Sequence, residues 1–129
     1  MDDSRECQKV PELLKQMVPG LFDNPEAKQY PIDEDIPGAV CSRLADYLVS
    51  LHEQFNHGKR DLRIKDEIDK CYKAIERLAS SSNIWVQNLV VTEIFEAFDF
   101  GPIVQKQIEA RLGPKSRALY DEYKGAGIF

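Results

Sequence analysis

Three carboxylates recur at helical spacing in the second half of the chain, at Glu93, Glu96 and Asp99. Carboxylates three residues apart on a helix can share a divalent cation, and acids on a second helix can complete the cage. The acids that could do so are Asp66, Glu67 and Asp69. Six residues of spacing, however, leave Glu93 about 120° from Asp99 around a helix, so the three side chains do not converge. The sequence therefore predicts no metal site and no cofactor.

The same acids resemble, weakly, the acidic Mg²⁺ motifs of the all-α nucleotide pyrophosphatases. The denser paired-glutamate form of that motif is missing, and Lys and Arg residues accompany the acids of residues 61–79. A Mg²⁺-dependent pyrophosphatase is therefore the less favoured alternative, and the chain is expected not to be an enzyme.

The histidines and cysteines do not form a recognisable catalytic motif. His52 and His57 lie five residues apart, which separates them by about 140° on a helix and does not suit one metal ion. The three cysteines, Cys7, Cys41 and Cys71, are an odd number without a CxxC pair, which argues against a disulfide framework or a structural zinc site. We expect Cys41 and Cys71 to be small core residues in a reducing cytoplasm.

The charge pattern argues against nucleic acid as the main partner. The net charge is −5, and a protein that grips a phosphate backbone normally carries a basic surface. The acids concentrate in the segment Asp33-Glu34-Asp35 and in residues 83–100, which hold three acids and no base. Basic residues between positions 59 and 77 are diluted by acids, which is typical of a solvated helix surface.

One narrow polar stripe follows the most hydrophobic segment, residues 84–98. At 100° per residue, Asn88, Thr92, Glu96 and Asp99 fall within about 80° of arc, with Trp85 inside it. A mostly buried helix that presents such residues on one side is a candidate contact surface, since Trp is enriched at binding hot spots. The alternative is an ordinary solvated helix edge, with Trp85 packed against a neighbour.

Apolar residues at three- and four-residue spacing predict an all-α fold. The expected helices number five to six and cover about 4–18, 37–56, 61–79, 84–98, 101–112 and 115–124. The predicted arrangement is one compact domain over residues 1–129, with antiparallel helix pairs around the hydrophobic helix at 84–98. Residues 21–36, with Pro25 and Pro31, are predicted to be a long acidic loop. Residues 1–3 and 125–129 are predicted to be flexible.

No apolar run is long enough to span a bilayer, and the acidic N-terminus is not followed by the apolar stretch of a secretory signal. A cytoplasmic protein without membrane contact is therefore expected.

The segment at residues 88–98, Asn-Leu-Val-Val-Thr-Glu-Ile-Phe-Glu-Ala-Phe, resembles a pattern of small all-α bacterial proteins. Several of these look like immunity partners of secreted toxins, including those of contact-dependent inhibition, and others have no assigned function. The resemblance covers roughly residues 10–112, and Asn88 and Glu96 match its recurring polar positions. It implies a toxin-neutralising protein without catalytic residues. Many antibacterial toxins are basic nucleases, to which an acidic protein can be steered.

These observations predict a non-enzymatic, acidic module that binds a basic protein, most specifically an immunity protein that neutralises a bacterial toxin. The alternative is a helical scaffold or interaction protein of unassigned role, and homo-oligomers are left open. The residues expected at the contact are Asp33, Glu34, Asp35, Trp85, Asn88, Thr92, Glu96 and Asp99.

Overall fold

All regular elements in the described part of the chain are helical. The computed structural model describes residues 4–58, 61–98 and 101–125, and no strand occurs among them. Eight α-helices lie within these residues, more than the five or six predicted. They are α1 (Val10–Met17), α2 (Gly20–Asp23), α3 (Pro25–Gln29), α4 (Pro37–Asn56), α5 (Leu62–Ala79), α6 (Ile84–Leu89), α7 (Pro102–Arg111) and α8 (Pro114–Gly125). The all-α prediction is confirmed, whereas the antiparallel pairing of the helices stays a prediction.

Local chemistry sets most of the helix boundaries. The side chains of Asn24, Asp61 and Asn83 accept hydrogen bonds from backbone N–H groups in the first turns of α3, α5 and α6. Proline lies in the first turn of α1, α3, α4 and α7, where its missing N–H group is not needed. These signals are visible in the sequence, which is why the predicted ends of α4 and α5 agree with the structure to within one residue.

The long acidic loop predicted at residues 21–36 is wrong over its first half, which folds into α2 and α3. Asn24 joins the two short helices: its side chain donates to the carbonyl oxygens of Gly20 and Leu21 and accepts the Ala27 N–H. Leu21 and Ala27 are buried, so packing stabilises helices that are too short to form alone. Only residues 30–36, the 30–36 loop from here on, connect α3 to α4 without helix.

The first predicted helix, at 4–18, is also interrupted. Residues Ser4–Lys9 form a 3₁₀ helix, and the α-helix starts at Val10. Pro11 explains the break, because its ring clashes with the carbonyl four residues earlier and it cannot donate a hydrogen bond.

The hydrophobic segment at 84–98 is helical throughout but not uniformly α-helical. It continues from α6 through a π-helical turn, Val90–Ile94, into a 3₁₀ turn, Phe95–Phe98, and we call the whole stretch the 84–98 helix. It packs against α4, α5 and α8. Its buried residues are Val86, Val90, Ile94, Phe95 and Phe98. At a uniform 100° per residue Val91 would lie on the buried side between Phe95 and Phe98, but it is only half-buried, because the wider π turn changes the rotation per residue.

The carboxylate of Glu76 on α5 holds the first turn of α8. It accepts hydrogen bonds from the backbone N–H groups of Lys115 (2.8 Å) and Ser116 (2.9 Å) and from the Ser116 hydroxyl (2.8 Å). Gly113 permits this approach, since a Cβ there would lie 2.6 Å from a Glu76 oxygen. Burial disfavours the charged carboxylate, but the hydrogen bonds outweigh burial, so the pKa of Glu76 is lowered. With α8 fixed in this way, the Tyr120 ring packs edge-on against Phe95 at 5.0 Å between centroids.

Replacing Phe95 should test the core. Phe95 is 3% exposed, so Phe95→Ala is expected to lower the free energy of unfolding by about 3–5 kcal/mol. Ile103→Ala is the control, because Ile103 is exposed and its truncation should change the free energy by less than about 0.5 kcal/mol. Urea denaturation curves measure both. A loss below about 1 kcal/mol for Phe95→Ala would contradict the packing.

The contact between Glu76 and α8 should make stability depend on pH. Because the folded-state pKa of Glu76 is lowered, its stabilisation is complete above the unfolded carboxyl pKa of about 4.3 and is lost as pH falls through the folded value. At pH 7 we expect Glu76→Gln to lower the free energy of unfolding by about 1–2 kcal/mol. The difference from the parent chain should shrink below about pH 4. A difference that does not change with pH would contradict the assignment.

Candidate functional site

The start of the 84–98 helix is fixed by a chain of hydrogen bonds. The Asn83 side chain accepts the N–H groups of Trp85 (2.9 Å) and Val86 (3.2 Å), and Ser81 Oγ accepts the N–H of Asn83 (3.0 Å). Gln87 Nε2 donates to the Ser81 carbonyl oxygen at 2.6 Å. Ile84 and Trp85 follow directly and remain 48% and 46% exposed. A rigid helix start therefore presents two large apolar side chains to solvent.

The predicted polar stripe continues from Trp85 along the same helix. Asn88, Thr92 and Glu96 are all exposed, and the Thr92 hydroxyl donates to the Asn88 carbonyl oxygen at 2.8 Å. Eleven residues separate Trp85 from Glu96, which corresponds to about 16 Å along the helix axis. Asn88, Thr92 and Glu96 lie on an exposed helix edge, as the polar stripe indicated. The exposure of Trp85, which the sequence left open, is partial, and the role of these residues in binding stays a prediction. Asp99, the fifth predicted residue, lies outside the described residues.

The predicted acidic residues of the 30–36 loop are exposed, but their charges are not equally available. The Glu34 carboxylate forms an ion pair with Lys15 of α1, and the Asp33 carboxylate accepts the Asp35 N–H at 3.1 Å. Asp35 has no ion pair within the part of the chain that the structure describes. Lys15, from a helix far away in sequence, therefore offsets the charge of Glu34, and the expectation that the three acids face a partner stays a prediction.

Glu93 lies against the first turn of α4, a position that the sequence analysis did not foresee. A Cβ on Gly38 would be 3.2 Å from Glu93 Oε1. The N-cap residue of α4 is Ile36, which has no side-chain acceptor for the first N–H groups, so a nearby carboxylate favours the positive end of the helix dipole. The signal available in the sequence was that Ile36, directly before α4, has no side chain that could cap the helix, so an acid from another segment was needed there. The contact also brings the acidic end of the 84–98 helix next to the 30–36 loop.

The acids that could have formed a metal cage have other partners. Glu67 accepts the Tyr47 hydroxyl at 2.8 Å and pairs with Lys70, which also pairs with Asp66. Asp69 pairs with Arg111 of α7. Among the residues described, no three His, Cys, Asp or Glu side chains lie together in a way that could hold a metal ion.

The histidine and cysteine side chains are structural where they are buried. His52 is buried, its Nε2 lies 2.7 Å from the Tyr72 hydroxyl, and burial followed by nearby Arg111 lowers the pKa of His52 to about 4. Burial, followed by nearby Glu93, raises the pKa of Cys41 to about 12, and the pKa of Cys71 is raised as well. Both thiols are core residues, as predicted, and neither is poised as a nucleophile.

The described residues form an all-α protein in which one side of the 84–98 helix is exposed. The acids of α5 have partners within the chain. The chain belongs to a family named as a domain of unknown function, DUF7674, whose model matches residues 11–125. No curated protein and no solved structure matches the chain. Among the described residues, no helix is long and apolar enough to cross a membrane.

A metal titration should distinguish a chain without a cation site from a Mg²⁺-dependent pyrophosphatase. We expect millimolar Mg²⁺ or Mn²⁺ to leave the melting temperature unchanged in the parent chain, because the acids of α5 already have partners. The double variant Glu93→Gln with Asp99→Asn should show the same absence of a shift. A metal-dependent rise in the parent that the double variant abolishes would reveal a cation site, since a ligand that binds the folded state raises its stability.

Proposed function

We propose that this chain is a non-enzymatic module that binds a basic protein through the exposed face of the 84–98 helix. The observation that carries the proposal is the partial exposure of Ile84 and Trp85 at the start of a helix whose opposite side lies in the core. Exposed apolar side chains on a rigid element supply area that a partner can bury without an ordering cost in the helix. A tryptophan at such a place is a typical hot-spot residue.

A groove near the start of the 84–98 helix has a mixed lining, in which Lys9 and Arg77 lie beside apolar side chains. Its volume is about 410 Å³, and it lies between the N-terminal helices, the end of α5 and the start of α6. The apolar residues that line it are Val10, Leu13, Leu78 and Val86. Val86, which lines the groove, is the next residue after Trp85 but points about 100° away around the helix, so the groove and the indole are separate features of this helix start.

The charge of the face favours a basic partner. Residues 83–98 contain Glu93 and Glu96 and no Lys or Arg, and Asp35 lies on the neighbouring loop. Opposite charges on a partner would raise the association rate, and the effect should fall with salt, because the Debye length drops from about 10 Å at 0.1 M to about 3 Å at 1 M.

The more specific proposal is that the module is a cytoplasmic immunity protein that neutralises a bacterial toxin. The resemblance of residues 88–98 to such proteins supports it, and an acidic face suits the occlusion of a basic nuclease. A helical scaffold of unassigned role is the alternative, and it would bind a partner without inhibiting any activity. Toxin inhibition therefore distinguishes the two.

Binding kinetics with the product of a neighbouring gene test the proposal. A hot-spot loss of about 2 kcal/mol corresponds to roughly 30-fold faster dissociation for Trp85→Ala. Glu96→Lys should instead slow association and weaken its dependence on salt. Matched controls are Ile103→Ala and Glu53→Lys, which change exposed residues on α7 and α4 and should leave both rates unchanged. An acidic partner, or unchanged rates for both Trp85→Ala and Glu96→Lys, would contradict the proposed face.

A further inference from the structure

The acids at the start of α5 are all engaged within the protein. Asp61 accepts the Ile64 N–H at 2.9 Å as the helix N-cap. Asp66 lies 3.4 Å from Lys70, and Asp69 pairs with Arg111. The sequence indicated that acids dilute the basic charge of this region. Because these acids pair with other residues, they do not offset every cation beside them.

The cations in the same turns are not engaged. Arg63 and Lys65 are exposed, and neither has an ion pair or side-chain hydrogen bond within residues 4–58, 61–98 and 101–125. They lie near the N-terminus of an 18-residue helix, where the helix dipole disfavours positive charge. Leu62 precedes them and is 83% exposed. We call Leu62, Arg63 and Lys65 the basic corner; they line one open groove together with Asp66 and Asp69.

Nothing in the folding of α5 accounts for this composition. An exposed leucine gains no burial energy, and acids in place of Arg63 and Lys65 would suit the helix dipole better. Residues that disfavour the local structure, such as cations near a helix N-terminus, are expected without a compensating contact where the surface serves a function.

The 30–36 loop of the same chain has the complementary chemistry. Tyr30 and Ile36, at its two ends, are 61% and 52% exposed. Asp33 and Asp35 lie between them and are exposed. Two cations from other segments contact the loop, Lys15 at Glu34 and Arg43 at the Tyr30 carbonyl oxygen, and neither pairs with Asp33 or Asp35. The 30–36 loop carries acids flanked by apolar side chains, and the basic corner carries cations beside a leucine. The two surfaces are therefore complementary in charge and both include apolar area.

We propose that the 30–36 loop of a second copy docks on the basic corner. Asp33 and Asp35 of one chain face Arg63 and Lys65 of the other, and Ile36 or Tyr30 covers Leu62. Each chain carries both halves of the contact, so two reciprocal contacts close a dimer and a single contact extends to further copies. The contact leaves Trp85 uncovered, so it goes beyond the proposed function and does not depend on it. A docked copy would occupy Asp35, which the proposed function places beside the partner-binding face.

Sedimentation or light scattering of the full chain tests the proposal. The mass should rise above the monomer value of 14.8 kDa as concentration increases at low salt. It should return toward that value near 1 M salt, where the Debye length is about 3 Å. Leu62→Ser should weaken the association while leaving the melting temperature unchanged, because the side chain is exposed.

A charge exchange identifies the two surfaces. The first variant carries Arg63→Glu with Lys65→Glu, and the second carries Asp33→Asn with Asp35→Lys. The asparagine keeps the side-chain oxygen that accepts the backbone N–H of position 35. The first variant alone should be monomeric, because both of its surfaces are then acidic. The second variant alone should be monomeric, because its loop no longer attracts its basic corner. An equimolar mixture should associate again, because each surface of one variant is opposite in charge to the matching surface of the other.

A parent chain that stays monomeric at every soluble concentration at low salt would overturn the proposal. So would association that survives in either variant alone, or a mixture that stays monomeric although the parent associates. Trp85→Ala is the control and should associate like the parent; loss of association in that variant would assign the contact to the 84–98 helix instead. The partner-binding test measures a different protein and uses Trp85→Ala and Glu96→Lys, which lie outside both surfaces of the proposed dimer, so failure of one proposal is distinguishable from failure of the other.

Discussion

The burial of one side of the 84–98 helix is the constraint on which the rest of the structure depends. Ile94, Phe95 and Phe98 are covered by α4, α5 and α8, and burial of such side chains contributes roughly 1.5–3 kcal/mol each. The opposite side, which carries Asn88, Thr92 and Glu96, is exposed. The helix is too apolar to be solvated all round, yet Ile84 and Trp85 still face solvent. This uncovered side is the surface on which we propose that a partner binds.

Electrostatic contacts between distant segments complete this arrangement. Glu76 fixes the start of α8, which covers Phe95 through Tyr120. Glu93 performs a related role for α4, because its carboxylate lies against the first turn of a helix without its own side-chain cap. The second contact holds Glu93 beside the first turn of α4, which directly follows the loop that carries Asp35. Carboxylates far apart in sequence from the helices they contact thus support the starts of both α4 and α8.

The sequence was sufficient for features that depend on local chemistry and long periodicity. The bounds of α4 and α5 follow from apolar spacing, Pro37 and the Asp61 cap, and the exposure of Asn88, Thr92 and Glu96 follows from the polar stripe. Features that depend on distant residues were missed. The helices α2 and α3 need the packing of Leu21 and Ala27, and Glu34 is neutralised by Lys15. The π turn that leaves Val91 half-buried has no sequence signal that a uniform 100° rotation can reveal.

Fluorescence of Trp85 is the most direct measurement of the central claim, because it is the only tryptophan of the chain. Its indole is partly exposed in the free protein, so acrylamide should quench it readily. Saturation with a tryptophan-free variant of the bound partner should shift the emission to shorter wavelength and reduce quenching several-fold, as the indole is desolvated. Emission and quenching that stay unchanged at full saturation would show that the partner binds elsewhere and would contradict the account.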